Sequence, residues 1–191
     1  MVQDNKVMYG LKNVTLFPLT DDGTKITYDG PIKFRGAVSL GLDPEGDKIE
    51  FEADNTTYYT ADNNQGFSGK LEMALMPFEV SSVVLGDVRD TNGVILQSMK
   101  AGQAVAMAFE FDGDVKAVRH VLYNVTFSRP SENGETRGKK GDVKSSEFEI
   151  VAALHPYFNV AKSKTDATTN DTAYQSWYTK VYEPVLTAPA K

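Results

Sequence analysis

Apolar and polar residues alternate with a period of two along most of this chain, and this pattern restricts the fold more than any other feature of the sequence. In Ile49–Ala53, for example, the apolar residues are separated by Glu50 and Glu52. Successive side chains of a β-strand point to opposite faces, so such alternation is typical of strands with one face on a core. The pattern predicts further strands at Phe67–Leu75, Val105–Phe111, Val121–Phe127 and Phe148–Leu154, and shorter ones at Val14–Leu19, Ile26–Tyr28, Val38–Leu42, Tyr58–Thr60 and Val94–Leu96.

Turn and helix signals separate these strands. Asp112-Gly113-Asp114 lies between two predicted strands, which favours a tight hairpin turn in which Gly adopts a positive φ. Pro77–Leu85 has Pro at its first position and is followed by Gly86, the order expected of a short capped helix. We expect apolar residues of this helix to cover an open side of the sheets, namely Phe78, Val83, Val84 and Leu85.

The C-terminal part of the chain has helical periodicity and many aromatic residues. Thr172–Glu183 places Tyr174, Trp177, Tyr178 and Val181 at positions i, i+3, i+4 and i+7, and it ends before Pro184. The polar stretch Lys162–Thr172 before it cannot form a core of its own.

These patterns predict a mainly β architecture, a β-sandwich or half-barrel with one short flanking α-helix and with arms at both termini. We expect residues 1–159 to form one domain, whose N-terminal arm covers about residues 1–13. Residues 160–191 are expected to form a C-terminal arm with a short aromatic helix, partly disordered in a single subunit.

Composition excludes several classes of function. The 191-residue chain has no Cys, so it offers no disulfide, thiolate metal site or thiol nucleophile. A formal net charge of −6 argues against a protein that grips nucleic-acid phosphates, because that affinity comes from clustered Lys and Arg. No apolar run approaches the roughly 18 residues of a membrane span, so we expect no membrane association and no export by the general pathway. The one basic cluster is interpreted as a solvated loop and consists of Arg137, Lys139, Lys140 and Lys144.

Few residues indicate catalysis or metal binding. His120 lies within a predicted strand and His155 at a strand end, and both are interpreted as hydrogen-bonding residues of the sheet. A nucleophile–base pair or a zinc site would need a suitable Ser, Asp or Glu near one of them in space. Glu110, Asp112 and Asp114 resemble a calcium loop superficially, but the distal Glu and the correctly placed Gly of such a loop are missing. We expect no catalytic residue, no metal and no cofactor.

An acidic group lies around the strand at Ile49–Ala53 and consists of Asp43, Glu45, Asp47, Glu50, Glu52 and Asp54. Glu50 and Glu52 share one strand face near Tyr58 and Tyr59, which is compatible with a glycosidase. Alternate carboxylates on an exposed strand are more often simply solvated, so this enzyme hypothesis ranks last.

Two hairpin-like segments, Gly66–Pro77 (GFSGKLEMALMP) and Phe109–Pro130 (FEFDGDVKAVRHVLYNVTFSRP), carry no such chemistry. They resemble segments of the major tail protein of long, non-contractile-tailed phages of Gram-positive bacteria. The resemblance covers nearly the whole chain except Arg129–Ser145 and the extreme C-terminus. Its other blocks occur in the order of that family: Val7–Asn13 (VMYGLKN), Ala37–Gly46 (AVSLGLDPEG), Glu52–Asn64 and Tyr174–Pro184 (YQSWYTKVYEP).

The resemblance implies a β-sandwich subunit that forms hexameric rings, which stack head-to-tail into the tail tube through which the genome is ejected. The implied partners are further copies of the chain, the tape-measure protein, the tail initiator and terminator proteins, and DNA in transient, non-specific passage. The implied location is the virion tail, and the host cytoplasm during assembly. The arms at both termini are expected to be disordered in solution and to order on docking.

Two sets of residues around the acidic strand are predicted to serve this assembly. Glu50, Glu52 and Asp54 are expected to face the bore and to repel DNA so that it slides, an effect confined to about 8 Å at physiological salt. The loop Asp54–Gly66 is expected to contact a neighbouring subunit, through Tyr58, Tyr59, Asn63 and Asn64.

A third set lies in the expected C-terminal arm. Trp177, Tyr178 and Tyr182 are predicted to anchor this arm on an adjacent ring, since aromatic side chains supply large contact area at low entropy cost. The main alternative function is a carbohydrate-binding or adhesin-like β-sandwich, which would present a cluster of aromatic residues on one exposed sheet face. Most aromatic residues of this chain instead alternate into apolar faces or lie in the expected arm.

Overall fold

The structure, a computed structural model, describes residues 4–97, 99–132 and 145–185. It is mainly β with a short helix against the sheet, so the predicted fold class is confirmed. The strands are β1 (Met8–Asp21), β2 (Ile26–Tyr28), β3 (Ile32–Lys33), β4 (Ala37–Glu45), β5 (Lys48–Ala53), β6 (Thr56–Asp62), β7 (Gly66–Met73), β8 (Val88–Arg89), β9 (Ile95–Leu96), β10 (Val105–Gly113), β11 (Val118–Phe127), β12 (Ser146–Ala153) and β13 (Lys162–Lys164), and the helices are α1 (Phe78–Val84) and α2 (Asp171–Ser176).

One large antiparallel sheet dominates the described residues. Its main path runs β2-β1-β10-β11-β12-β7-β4, with β3 paired to β1 and β13 paired to β11. Contacts between β1 and β4, which lie near opposite ends of this path, show that the sheet curls. The curl produces a half-barrel, and two hairpins, β5–β6 and β8–β9, lie outside the sheet.

The strand register defines two ends of the half-barrel. At the first end, strands β1, β7 and β11 begin, and strands β4, β10, β12 and β13 end. The residue pairs at this end are Met8 with Gly113, His120 with Lys164, and Gly66 with both Ala153 and Glu45. We call this the hairpin end, because the β5–β6 hairpin connects Glu45 to Gly66 there. At the opposite end β7 finishes at Met73 and leads into α1, so we call it the helix end.

The main core lies inside the curl, and α1 closes it. Inward-facing residues of the strands are completely buried, and they include Leu16, Leu71, Met73, Val105, Met107, Phe109, Leu122, Phe148 and Ile150. α1 begins after Pro77, as predicted, and contributes Val80 and Val84. Phe78, which was expected in this core, is only partly buried, and the guanidinium of Arg89 lies 4.1 Å from its ring centroid.

A second core lies on the outer face of the same sheet. Phe17, Ala106, Ala108, Val121 and Tyr123 alternate with the inward-facing residues, and the C-terminal segment covers them with Trp177 and Val181. The described part of this segment therefore differs from the expectation of a partly disordered arm. It is folded onto the sheet of its own chain, because that outer face is too apolar to remain in water.

The aromatic helix is shorter than the predicted Thr172–Glu183. α2 ends at Ser176, and the N–H of Thr179 donates to the carbonyl oxygen of Ser176 in an i to i+3 bond. The side chain of Asn170 caps the start of α2 by accepting from the N–H of Ala173 at 2.8 Å. Tyr174, Trp177 and Val181 still lie on the buried side, as the apolar spacing predicts.

The described part of the N-terminal segment also differs from the expectation of a free arm. β1 begins at Met8 and pairs with β10 from its first residue. Before β1, the Asn5 side chain accepts from the N–H groups of Val115 and Lys116 at 3.0 Å, and its amide donates to the carbonyl oxygen of Lys116 at 2.6 Å. Asn5 thereby fastens this segment to the turn between β10 and β11.

The β10–β11 hairpin is confirmed, but the predicted reason for its Gly is wrong. Gly113 is the last residue of β10 and has no positive φ. A side chain at this position would collide with the amide of Asn5. The Cβ would also lie 2.5 Å from the carbonyl oxygen of Lys116, so Gly113 is required for the close approach of both the N-terminal segment and the turn of the hairpin itself rather than for an unusual backbone conformation.

Candidate assembly surfaces

The β5–β6 hairpin extends from the hairpin end of the sheet. At its base the N–H of Gln65 donates to the carbonyl oxygen of Glu45 at 2.8 Å. Its turn consists of Asp54 and Asn55, with φ values of 54° and 60°, a conformation that Asp and Asn tolerate and that suits a two-residue hairpin turn. A strand of six residues such as β5 spans roughly 20 Å, so the turn lies well beyond the base.

One face of this hairpin is apolar and uncovered. Phe51 pairs with Tyr59 and Ile49 with Ala61, so these four side chains share a face. Phe51 is 58% exposed, Tyr59 57% and Ile49 52%. The prediction that Ile49 and Phe51 face a core is therefore wrong within the described chain. Exposed aromatic and aliphatic side chains that lie together are typical of an interaction surface.

The other face of the hairpin is acidic. Glu50 pairs with Thr60 and Glu52 with Thr57, and both carboxylates are exposed. Asp54 lies at the turn rather than on this face. From position 43 to position 62 the sequence has seven Asp or Glu and one Lys, a difference of −6 that equals the formal net charge of the whole chain. The net negative charge of the protein is therefore concentrated in and beside this hairpin.

The remaining residues predicted to contact a neighbour lie around the same hairpin. Tyr58 is exposed and stands at the irregularity in the β5–β6 register, next to Tyr59. Asn63 and Asn64 are exposed at the base of the hairpin, where the Asn64 side chain accepts from the N–H of Gly66 at 3.1 Å. These positions leave the side chains accessible, and their role as inter-subunit contacts stays a prediction.

A second group of exposed apolar side chains lies at the helix end. It includes the β8–β9 hairpin and its flanks, and we call it the helix-end patch: Leu75, Val88, Val94, Ile95, Leu96 and Met99. The sequence predicts a strand at Val94–Leu96 but does not reveal this surface. The sequence indicates this surface only by the lack of polar residues in that short run, since a strand with one solvated face has alternating apolar and polar residues.

The aromatic residues of the C-terminal segment have a different environment. Trp177 is 3% exposed, its Nε1 donates to the carbonyl oxygen of His120 at 3.1 Å, and its ring stacks on Tyr182 with centroids 5.3 Å apart. These contacts are within one chain. Contacts of Trp177, Tyr178 and Tyr182 with an adjacent ring stay a prediction, and for Trp177 they would require this packing to open.

A buried polar cluster also fastens the C-terminal segment. Glu110, 7% exposed, accepts from Asn13 Nδ2 at 2.6 Å, from Arg119 Nε at 3.1 Å and from the Tyr178 hydroxyl at 3.0 Å. The guanidinium of Arg119 lies 3.8 Å from the ring centroid of Tyr174 and donates to the Tyr174 carbonyl oxygen. Burial and the carboxylate of Glu110 raise the pKa of Tyr178, so its hydroxyl remains a donor. The sequence does not predict this cluster, because its members are far apart in the chain.

The side chain of His120 has no hydrogen-bond partner among the described residues. It is 6% exposed, its ring stacks on Phe109 with centroids 5.1 Å apart, and no described group bonds to either ring nitrogen. No hydrogen bond within the described chain therefore supports the interpretation of His120 as a hydrogen-bonding residue of the sheet. Burial lowers the pKa of His120 to about 4, and the positive charges of Lys162 and Lys164 act in the same direction. The imidazole is accordingly neutral near pH 7.

His155 fits the interpretation given to it. Its Nδ1 accepts from the N–H of Tyr157 at 3.2 Å and from that of Phe158 at 3.3 Å. The ring stacks on Phe158 with centroids 4.1 Å apart. Burial lowers the pKa of His155. His155 therefore holds the turn after β12.

The part of the chain that the structure describes has neither a metal-binding cluster nor a helix that could span a membrane. It contains no group of three or more His, Asp or Glu placed to hold a metal ion. None of its helices is long and apolar enough to cross a membrane. The basic cluster Arg137, Lys139, Lys140 and Lys144 lies outside the described residues.

Comparison with known proteins yields only distant structural likeness. No family model and no curated protein matches the chain. One similar solved chain belongs to the sheath-tube complex of an extracellular contractile injection system in the extended state, with 12% identity over 84% of this chain and 93% of that chain and a TM-score of 0.44. Another belongs to the sheath/tube terminator of an extracellular contractile injection system in the extended state, with 12% identity over 80% and 93% of the two chains and a TM-score of 0.41.

Proposed function

We propose that this chain is a structural subunit of a phage tail tube, in which copies form hexameric rings and the rings stack into a conduit for DNA. The observation that carries the proposal is the uncovered apolar face of the β5–β6 hairpin, formed by Ile49, Phe51 and Tyr59. Packing against another copy would remove this face from water. The resemblance of Gly66–Pro77 and Phe109–Pro130 to major tail proteins is separate support.

The distribution of exposed apolar surface supports an open-ended assembly. The β5–β6 hairpin lies at the hairpin end, and the helix-end patch lies at the opposite end of the same sheet. Two different surfaces at opposite ends of one chain suit heterologous, head-to-tail contacts, which produce a filament when the rotation does not close. A symmetric dimer would use a single patch twice.

The acidic face of the hairpin suits the wall of a conduit for DNA. In this proposal Glu50 and Glu52 face the bore, where their charges repel phosphates within about one Debye length, roughly 8 Å at physiological salt. The tape-measure, initiator and terminator proteins of the resembling family complete the assembly, which is located in the virion tail.

A second candidate function, carbohydrate binding, is favoured by one observation. Phe51, Tyr58 and Tyr59 are exposed on one hairpin, and aromatic rings are common platforms in binding sites. Their neighbours on the apolar face are Ile49 and Ala61, which offer a sugar no side-chain hydrogen bond. The tube proposal accounts for this apolar face better.

The test of the tube proposal is assembly of the purified full-length chain. We expect rings or tubes in negative-stain electron micrographs of concentrated protein, and sedimentation of the assembled fraction in the ultracentrifuge. The double variant Phe51→Ser/Tyr59→Ser should lose at least about tenfold in association constant, since that corresponds to only 1.4 kcal/mol of lost contact free energy.

The matched control changes the opposite face of the same hairpin. Thr57→Ser/Thr60→Ser alters two residues that pair with Glu52 and Glu50, and it should assemble like the parent chain. A parent chain that stays monomeric, even with its native initiator complex, would overturn the tube proposal. Saturable binding of oligosaccharides by such a monomer, lost in Phe51→Ser/Tyr59→Ser, would establish the carbohydrate alternative.

A further inference from the structure

A cationic groove lies at the hairpin end of the half-barrel, between the N-terminal segment and the residues that follow β13. Its volume is about 300 Å³. Lys6 and Met8 line one side, Lys164 and Thr165 line the other, and Lys116 and His120 complete it. The groove therefore brings together three lysines from distant parts of the chain.

These lysines are not neutralised within the described chain. None of Lys6, Lys116 and Lys164 forms an ion pair with a described carboxylate. Asp4 and Asp166 also line the groove, and the Asp166 carboxylate, which accepts from the hydroxyl and N–H of Thr168 at 2.8 Å, keeps its charge, so three Lys and two Asp give the lining a formal net charge of +1. The local charge is therefore positive in a protein whose overall charge is negative.

His120 provides an independent sign that the groove binds a ligand. Its side chain lines the groove, is more than nine-tenths buried, and has two ring nitrogens without a partner among the described residues. Buried polar groups in folded proteins are nearly always hydrogen-bonded, so an orphan imidazole requires an explanation. A neutral imidazole has one N–H donor, which a carboxylate oxygen can accept.

The hairpin turn carries the complementary charge at the same end of the molecule. Asp54 is exposed at the turn of the β5–β6 hairpin, and it has no ion pair with a described residue. The hairpin and the groove both lie at the hairpin end, but the hairpin base at Gly66 is in register with Asn124 of β11, whereas the groove is in register with His120, four residues nearer the start of that strand. A hairpin of roughly 20 Å is longer than this offset, so its turn has the reach to meet the groove of an adjacent copy.

We propose that the groove binds the Asp54 carboxylate of a second copy of this chain, and that this contact joins neighbours within one ring. The inference rests on the proposed tube function and specifies which surfaces meet. It places Asp54 in an interface, whereas Glu50 and Glu52 on the acidic face remain available to the bore. The ammonium groups of Lys6 and Lys164 and the His120 N–H supply the donors, whereas the Lys116 ammonium lies 3.9 Å from the ring centroid of Tyr174.

The absence of Cys from the sequence permits a direct test by cross-linking. Two full-length variants, Asp54→Cys and Lys164→Cys, are mixed under assembly conditions and treated with a short bismaleimide. We expect a heterodimeric product that is at least tenfold more abundant than with Lys25→Cys, the matched control. Lys25 is also exposed but follows the end of β1, at the helix end.

Charge reversal provides the second measurement. Asp54→Lys and Lys164→Asp should each reduce ring formation, and combining them in one chain should restore it, because the pair is re-formed with opposite polarity. Both substitutions change exposed side chains, and circular dichroism checks that each variant folds.

The outcomes separate this inference from the tube proposal. Rings or tubes that form without the Asp54–Lys164 cross-link would overturn the groove contact and leave the tube function intact. Preferential cross-linking of Asp54→Cys to Lys25→Cys would also overturn it, because the turn would then contact the helix end of another copy. Binding of free acetate or glutamate to the monomer's groove, without cross-linking between copies, would assign the site to a small carboxylate instead.

Discussion

The β5–β6 hairpin and the C-terminal segment both have closely spaced aromatic residues, and the sequence predicts both as contacts between subunits. The structure gives them opposite environments. Phe51 and Tyr59 of the hairpin are more than half exposed, whereas Trp177 of the C-terminal segment is 3% exposed against its own sheet. Aromatic content and amphipathic spacing show that a segment has an apolar side, but they do not show whose surface that side covers.

The reason for the difference lies in the sheet rather than in the two segments. The outer face of the sheet presents Phe17, Val121 and Tyr123, which need a cover in a single chain, and the C-terminal segment provides it. The hairpin extends past the sheet, and among the described residues no comparable surface of its own chain lies below it. A chain truncated near Val160 would therefore expose its own second core, and its failure to form tubes would not establish an inter-subunit role for Trp177.

The largest expected effect is loss of stability when Trp177 is replaced. Trp177→Ala should lower the free energy of unfolding by about 3–5 kcal/mol, because it removes a buried ring and leaves a cavity beside Tyr123. The measurement is urea unfolding followed by circular dichroism. An unchanged midpoint would mean that the C-terminal segment is detached in solution, and the contrast between the two regions would disappear.

The next effect is a loss of stability at low pH that depends on His120. The carbonyl oxygen of His120 accepts from Trp177, and the His120 side chain is buried. Burial and the nearby Lys162 and Lys164 lower the pKa of His120 in the folded chain to about 4, below its ordinary value of 6.5. The unfolded chain therefore binds a proton more readily. Stability is fully present above pH 6.5, falls as the pH decreases toward 4, and loses about 3 kcal/mol in total from this group.

A comparison of variants isolates the contribution of His120 to this pH dependence. The measurement is the free energy of unfolding of the parent chain and of His120→Leu at several pH values between 4 and 7. His155 also has a lowered pKa and is retained in both proteins, so it cancels in the difference. Equal slopes for the two proteins would show that His120 is not buried as described.

Much of the fold could be predicted from the sequence, since alternation identifies strands wherever one face is buried. The strands at Ile26–Tyr28 and within Val105–Phe127 lie where that pattern places them, and α1 follows from Pro77 and Gly86. The same pattern does not predict whether the apolar face of β5 is buried. Ile49 and Phe51 alternate correctly, but alternation describes a strand and does not supply the layer that would cover it.

The surfaces could be predicted only in part. The hairpin residues Tyr58 and Tyr59 are accessible as expected, whereas the cationic groove joins Lys6, Lys116 and Lys164, which are separated by more than a hundred positions at the extremes. Such a site depends on the register of β1, β10, β11 and β13. Local patterns contain no information on that register, and the same holds for the Glu110 cluster.

The smallest expected effect provides the other half of the comparison. Phe51→Ser in the monomer should change the free energy of unfolding by less than about 0.5 kcal/mol, because an exposed side chain outside the core contributes little to folding. Trp177→Ala is its counterpart in the same unfolding assay at low protein concentration, and the losses in free energy of unfolding of the two variants should differ several-fold.

A large loss of stability in Phe51→Ser would mean that the hairpin packs on its own chain, so that its apolar face would not be available to a neighbour. A small loss, together with weaker assembly of Phe51→Ser at high concentration, would separate the residues that hold one subunit together from those that join subunits.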